Sequence, residues 1–210
     1  MADSFQFGLR KAVWTLATDN YFPELCDISL PNHAAFAEKI GAEFHVISER
    51  AFPEWYATYE KVQIFERGKG YDWNIHIDAD LLVSPDMPDP TLNNQGQVGW
   101  YSIYDAALYF KADRFFSRDG RRTGICSAFL AVPYLCHDIW EPFSCGYEEA
   151  LKGINKPHGI DDYCFSRNFA KYGLRGDWVC SSEHVHHVGL GGNTKDFVAL
   201  ERAKDWLAKK

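Results

Sequence analysis

Residues 71–83 constrain the fold of this chain more than any other stretch. Tyr71-Asp72-Trp73-Asn74-Ile75-His76-Ile77 is rich in β-branched and aromatic side chains and reads as a buried strand. It runs straight into Asp78-Ala79-Asp80, followed by Leu81-Leu82-Val83. Upstream, residues 12–18 (Ala-Val-Trp-Thr-Leu-Ala-Thr) read as a first strand, and residues 31–40 carry a helical pattern stopped by Gly41. Glu43 to Ile47 is a second strand, and a helix over 57–67 leads through Gly68 and Gly70 back to the strand before Asp78. Strands alternating with helices predict an α/β fold with a mainly parallel central sheet flanked by helices. Two carboxylates at the C-terminal end of such a strand are placed to hold Mg²⁺ or Mn²⁺, because hard oxygen donors suit these ions, which also bind substrate phosphates. Taken alone, the segment also reads as a solvated strand-end turn in which Asp is merely a good turn former.

Beyond Pro85 the pattern loosens. Residues 98–104 and 128–132 read as strands, 139–151 as a broken helix and 161–172 as a helix. A short strand is expected near Trp178, and another over 184–188 with an unusual His cluster. The polar stretch 111–123 reads as a flexible loop or lid. A C-terminal helix over about 196–208 places Phe197, Leu200, Ala203 and Leu207 on one face, so it is expected to dock on the body.

Charge narrows the partners. Asp and Glu number 29 against 22 Lys and Arg, a net charge of −7, and no basic run could neutralise a nucleic-acid backbone. A diphosphate ligand on so acidic a protein needs a bridging cation, which paired Asp residues would hold. Six Cys without a CxxC pair suit reduced thiols in the cytosol. No apolar run approaches the ~20 residues needed to span a bilayer, and residues 1–10 lack the apolar core of a signal peptide. A soluble cytoplasmic protein with no membrane span is expected.

Four short motifs in order resemble the GT-A class of nucleotide-sugar glycosyltransferases over residues 10–195. The similarity is to glycogenin-like families, short galactosyl- and xylosyltransferases, and compact glycosyltransferase domains of large algal DNA viruses. The first motif is Thr15-Leu16-Ala17-Thr18-Asp19-Asn20-Tyr21. The resemblance implies that this segment, with Thr15, Leu16, Thr18, Asp19 and Tyr21, forms the uridine pocket, Tyr21 stacking on the base. The second is Lys61, 17 residues before Asp78, which the family places against the donor phosphates or sugar. The third is Asp78-Ala79-Asp80, with Asp80 on the metal and Asp78 shared between metal and ribose. Strand residues two apart sit roughly 6.5 Å apart at Cα, so both reach one ion only if the chain turns or a water intervenes. The fourth is His186-His187-Val188-Gly189, in which His186 matches the spacing of the family's third metal ligand. Gly192 stands where the family usually has a basic residue, with Lys195 three positions on. Asp161-Asp162 matches an acidic pair that opens a helix facing the donor sugar, although helix capping alone also favours acids there.

The resemblance implies a single GT-A domain over 1–210, with a small antiparallel second sheet. Its nucleotide-binding half covers about 10–83, and the half completing the metal and acceptor sites about 84–195. It implies a metal-dependent enzyme, using Mn²⁺ or Mg²⁺, that moves a hexose-type sugar from a UDP-sugar to a glycan hydroxyl. Retention at the anomeric carbon is implied, with Asp161 and Asp162 as catalytic residues; an inverting enzyme would need a base, for which His158 and Asp162 are candidates. Two rivals stay open: an inactive nucleotide-sugar or glycan-binding module, and a haloacid-dehalogenase-type phosphatase. The latter wants Thr or Val where this chain has Leu82.

Overall fold

The computed structural model describes residues 8–92, 96–101, 110, 124–189 and 197–210. The stretch 111–123 read as a lid, the end of the strand read over 98–104, and Gly192 and Lys195 lie outside these residues, as does the side chain of Phe197.

Strands β1 (Lys11–Leu16), β2 (Glu43–Ile47) and β3 (Trp73–Ile77) pair in parallel with β1 in the middle. With β5 (Val98–Tyr101), β6 (Phe129–Pro133) and β7 (Gly176–Trp178) they form a six-stranded sheet of order β2-β1-β3-β6-β5-β7. β6 is antiparallel to both β3 and β5, while β5 and β7 are parallel, so β6 alone runs backward. The sheet is mainly parallel, as the alternation of elements predicts. β4 (Leu81–Val83) and β8 (Val185–His187) form a separate antiparallel pair.

Period-two alternation sends side chains to both faces of the sheet. Val13, Ile75, Ile77, Phe129 and Ala131 join Phe36 of helix α1 (Pro23–Lys39) on one face. Trp14, Leu130 and Val132 join Tyr59, Trp140 and Phe165 on the other. Phe165 lies on α4 (Ile160–Lys171), and the remaining short helices are α2 (Ile64–Arg67) and α3 (Tyr147–Leu151). Residues 57–67 begin as a 3₁₀ segment, Ala57–Gln63, rather than as the α-helix expected throughout. Helix α5 (Phe197–Leu207) buries Ala199 and Ala203 against Phe22 and Leu25 of the α1 end, Leu82 of β4 and Val188.

α1 begins eight residues earlier than the pattern suggested, and Pro31 lies inside it. Proline removes the N–H that would serve the carbonyl of Asp27, which normally ends a helix. Burial of Leu25, Ser29, His33, Phe36 and Ala37 along one face holds the helix through that position. Within β3 the polar Asn74 is fully buried, accepts from Trp14 Nε1 at 2.9 Å and donates to the Gly68 carbonyl at 3.0 Å. A methyl group on Gly68 would lie 2.6 Å from Asn74 Oδ1, so this close approach demands glycine. None of the six cysteines forms a disulfide. Among the described residues no helix is long and apolar enough to cross a membrane.

Candidate active site

A cleft of about 800 Å³ opens at the C-terminal ends of β1 and β3, where open α/β sheets bind ligands. Its floor is the turn that the two-carboxylate motif requires. β3 stops at Ile77, the Leu81 N–H donates to the Asp78 carbonyl at 2.9 Å, and β4 starts at Leu81. Bending the chain there turns both carboxylates toward one point. Val188 N–H donates to the Asp80 carbonyl at 2.9 Å, which fastens the end of β8 beside that turn. His187 Nε2 lies 3.5 Å from Asp80 Oδ1. Among the described residues, Asp78, Asp80 and His187 form the one group of three with ligand atoms all within 4.8 Å of each other. Burial raises the Asp80 carboxyl above the usual range, His187 opposes the rise and Asp78 adds to it. Crowded carboxylates of this kind are relieved by a cation.

The structure places His187, and not His186 as the resemblance implied, beside the two carboxylates. His186 pairs with Leu82 on β8 and its ring stacks on Trp206 of α5, centroids 5.6 Å apart and planes within 12°. Adjacent strand residues face opposite ways, so once α5 claims His186 it is His187 that faces the cleft. Only the packing of a helix some 20 residues downstream decides between them, and no local signal in the sequence does.

Lys61 lines the same cleft. It is buried, and its ammonium lies 2.7 Å from Asp78 Oδ1 and 2.8 Å from Asp161 Oδ2 while donating to Ser127 Oγ at 2.9 Å. Burial pulls its pKa down, but Asp161, Asp78 and Asp162 together push it well above the usual lysine value. Lys61 therefore ties the end of β3 to α4 at the wall of the cleft. Ser127 Oγ donates to Asp161 Oδ2 at 2.7 Å, and Ser127 N–H donates to Asp162 Oδ1 at 2.7 Å. Burial acts to raise Asp161, yet the charge and hydrogen bonds of Lys61, with Ser127, hold it below the carboxylate range. Burial and the Asp161 charge push Asp162 up to about 7. His76, buried in β3, donates from Nδ1 to the Ser127 carbonyl at 3.0 Å, which leaves Nε2 facing Asp78 Oδ1 at 3.8 Å. Burial and then Lys61 lower His76 to about 4, so its ring is neutral. Sequence reasoning missed Ser127 and His76, because a lone Ser in a turn and a His inside a strand carry no motif.

Of the β1 segment, Leu16, Thr18, Asp19 and Tyr21 line the cleft. Asp19 and Asn20 adopt φ of 56° and 54°, a left-handed pair that turns the chain out of β1. Arg50 Nη1 donates to Asp19 Oδ2 at 2.5 Å. Thr15 is not in the cleft: it is fully buried and its hydroxyl lies 2.9 Å from His33 Nδ1. His33 Nε2 is 2.6 Å from the Leu81 carbonyl, which only accepts, so Nε2 carries the proton and the Thr15 hydroxyl donates to Nδ1. Burial lowers His33 to about 4, consistent with that neutral tautomer. Thr15 thus braces β1 against α1 and β4 and does not line the cleft, contrary to its expected place in the nucleotide pocket.

No family model matches the sequence, and no curated protein does. Solved structures do. The galactosyltransferase LgtC, solved in complex with donor and acceptor sugar analogues, matches 94% of this chain and 95% of its own, with a TM-score of 0.55 and 13% identity. The fold is GT-A. A glycosyltransferase involved in glycosylation of the major capsid of PBCV-1 matches 94% of this chain and 98% of its own, with a TM-score of 0.55 and 10% identity. At such identities the likeness shows the GT-A architecture, and the chemistry has to be argued from the cleft.

Proposed function

We propose that this chain is a metal-dependent glycosyltransferase that moves a hexose-type sugar from a UDP-sugar to a hydroxyl of a glycan acceptor. The observation that carries the reading is the convergence of Asp78, Asp80 and His187 within 4.8 Å in a cleft that also holds Asp161 and Asp162. Two carboxylates and an imidazole suit Mn²⁺ or Mg²⁺, with positions left for phosphate oxygens. A cation held there by Asp78, Asp80 and His187 would supply positive charge to neutralise the diphosphate as leaving group. The side chains of Leu16, Thr18, Asp19 and Tyr21 surround the nucleoside. Asp161 and Asp162, at the first turn of α4, orient the sugar hydroxyls and oppose the positive charge that develops on the ring. Lys61 fixes Asp78 and Asp161 in that geometry.

The resemblance implies retention, in which the acceptor attacks the face that the diphosphate leaves and no protein base is required; the hold of Lys61 and Ser127 on Asp161, which makes that carboxylate a weak base, fits this course. One observation favours inversion instead. Asp162 lines the cleft, where burial and the Asp161 charge raise its carboxyl toward the basicity that a general base needs. The coupling constant of the product's anomeric proton distinguishes the two outcomes.

The function is tested by UDP release from UDP-sugars with Mn²⁺, alongside direct Mn²⁺ titration. Wild type should bind the ion and release UDP, and Asp80→Ala should do neither. Equal UDP release by both proteins would remove Asp80 from the mechanism and the proposal with it.

A further inference from the structure

The wall of the cleft formed by residues 55–58 and His158 has no part in the scheme above. Tyr56 stands on it with 44% of its surface exposed. Its ring lies 6.3 Å from that of His158, the planes inclined at 56°. The two belong to distant segments, joined where Thr58 Oγ1 donates to the His158 carbonyl at 3.1 Å.

The loop that carries Tyr56 is held from both sides. Arg50 donates to the carbonyls of Phe52, Pro53 and Trp55. The carboxylate of Glu60, fully buried, accepts the N–H of Ala51 at 2.8 Å and of Phe52 at 2.9 Å. Trp55 stacks on Tyr59 at 3.9 Å and 14°, and Phe143 stacks in turn on Tyr59. A backbone fixed this firmly, with one neighbouring aromatic buried and the next left in the cleft, is preorganised to present a ring to a ligand. Ordering costs that a mobile loop would incur on binding are already met in folding.

We propose that Tyr56 and His158 form the acceptor subsite, taking a pyranose of the acceptor glycan. A pyranose offers an apolar face of C–H groups, which fits a Tyr ring, and an equatorial belt of hydroxyls, which fits an imidazole able to donate and accept. His158 lies three residues before Asp161, so a sugar on this platform sits beside the carboxylates that face the donor. The inference rests on the glycosyltransferase reading and adds to it the place and chemistry of the second substrate. The competing occupant of the Tyr56 ring is the uracil base of the donor.

Saturation-transfer NMR with methyl β-galactoside, methyl α-glucoside and methyl β-xyloside, on protein saturated with UDP and diamagnetic Mg²⁺, tests the proposal. At least one glycoside should receive saturation from wild type. Tyr56→Ala should weaken that signal by about tenfold, the scale of one lost ring contact, and Tyr56→Phe should keep it. UDP affinity by calorimetry should stay within about twofold in both variants, below the change that loss of a base-stacking ring would bring. A fall in UDP affinity with Tyr56→Ala would give the ring to the base and overturn the assignment. Equal glycoside signals from wild type and Tyr56→Ala, or none from wild type, would overturn it as well. Wild type that neither binds UDP nor releases it from any UDP-sugar would instead bring down the underlying function.

Discussion

Lys61→Met probes the buried ion network directly. The Lys61 side chain is 3% exposed and bridges Asp78 and Asp161 at 2.7 and 2.8 Å. Removing one partner of a buried pair strands the other's charge, at a cost of roughly 3–5 kcal/mol. The two carboxylates do not share the loss evenly. Asp78, at 24% exposure, can recruit water, whereas Asp161, at 4%, cannot, so most of the cost falls on Asp161. Its size depends on pH. In wild type, burial acts to raise Asp161 but Lys61 and Ser127 hold it below the ordinary value. A depressed carboxyl contributes stability above the unfolded value of about 3.9, and that stability is lost as pH falls through the folded one. Without Lys61, burial dominates, Asp161 titrates above its unfolded value, and the variant loses stability as pH rises from about 4. The gap between the proteins therefore widens with pH and reaches about 3–5 kcal/mol at neutrality. Urea unfolding followed by tryptophan fluorescence at about pH 4.5, 6 and 7.5 measures it. A gap under about 1 kcal/mol at the highest pH, or one that does not change with pH, refutes the reasoning.

Alanine at each histidine of β8 separates the two faces: His187→Ala should weaken Mn²⁺ binding by tenfold or more in an EPR titration, on the order of other losses around metal sites, while His186→Ala leaves a far smaller effect. The reverse order would return the ligand role to His186. Asp162→Asn keeps an acceptor for the Ser127 N–H but no charge. Asp162 is raised to about 7, so its contribution to stability is present at pH 4 and lost as pH rises through 7. The variant should match wild type near pH 4 and exceed it by roughly 2–4 kcal/mol near pH 8 by chemical denaturation, while releasing UDP more slowly. Gly68→Ala should cost about 1–3 kcal/mol in urea unfolding, because the new methyl group meets Asn74 Oδ1 and the Ile64 carbonyl; an unchanged midpoint would mean that the β3 end yields easily.

Much of the first half was legible because its signals are local. β2 spans Glu43–Ile47, the residues whose composition marks it, and the run before Asp78 is the fully buried β3. Pro31 misled for a physical reason: proline is favoured at a helix start, and only the burial of Leu25 and Ser29 upstream shows that α1 passes through it. The site was legible as a list of residue types but not as a set of contacts. Thr15 and Thr18 look alike in sequence, yet strand alternation and a buried partner, His33, take Thr15 into the core. Lys61 was legible as a residue of the donor site, but its pairing with both Asp78 and Asp161 shows only once α4 and β3 close around it. Which of two adjacent histidines faces the cleft depends on Trp206, and a pairing across that distance leaves no trace in a local pattern.

Among the described residues β8, three residues long, pairs with three-residue β4 alone, so hydrogen bonds by themselves hold it weakly. Its far side leans on α5 through His186 and Trp206, and Lys210 Nζ reaches the Glu183 carbonyl at 2.6 Å. On the proposed chemistry, a cation joining Asp80 to His187 would rivet shut a loop of more than 100 residues. Ion occupancy and docking of the chain's tail then share a single free energy, each tightening the other. Hydrogen exchange in β8 and α5 should accordingly slow when Mg²⁺ and UDP are added, by more than in β1 or β2.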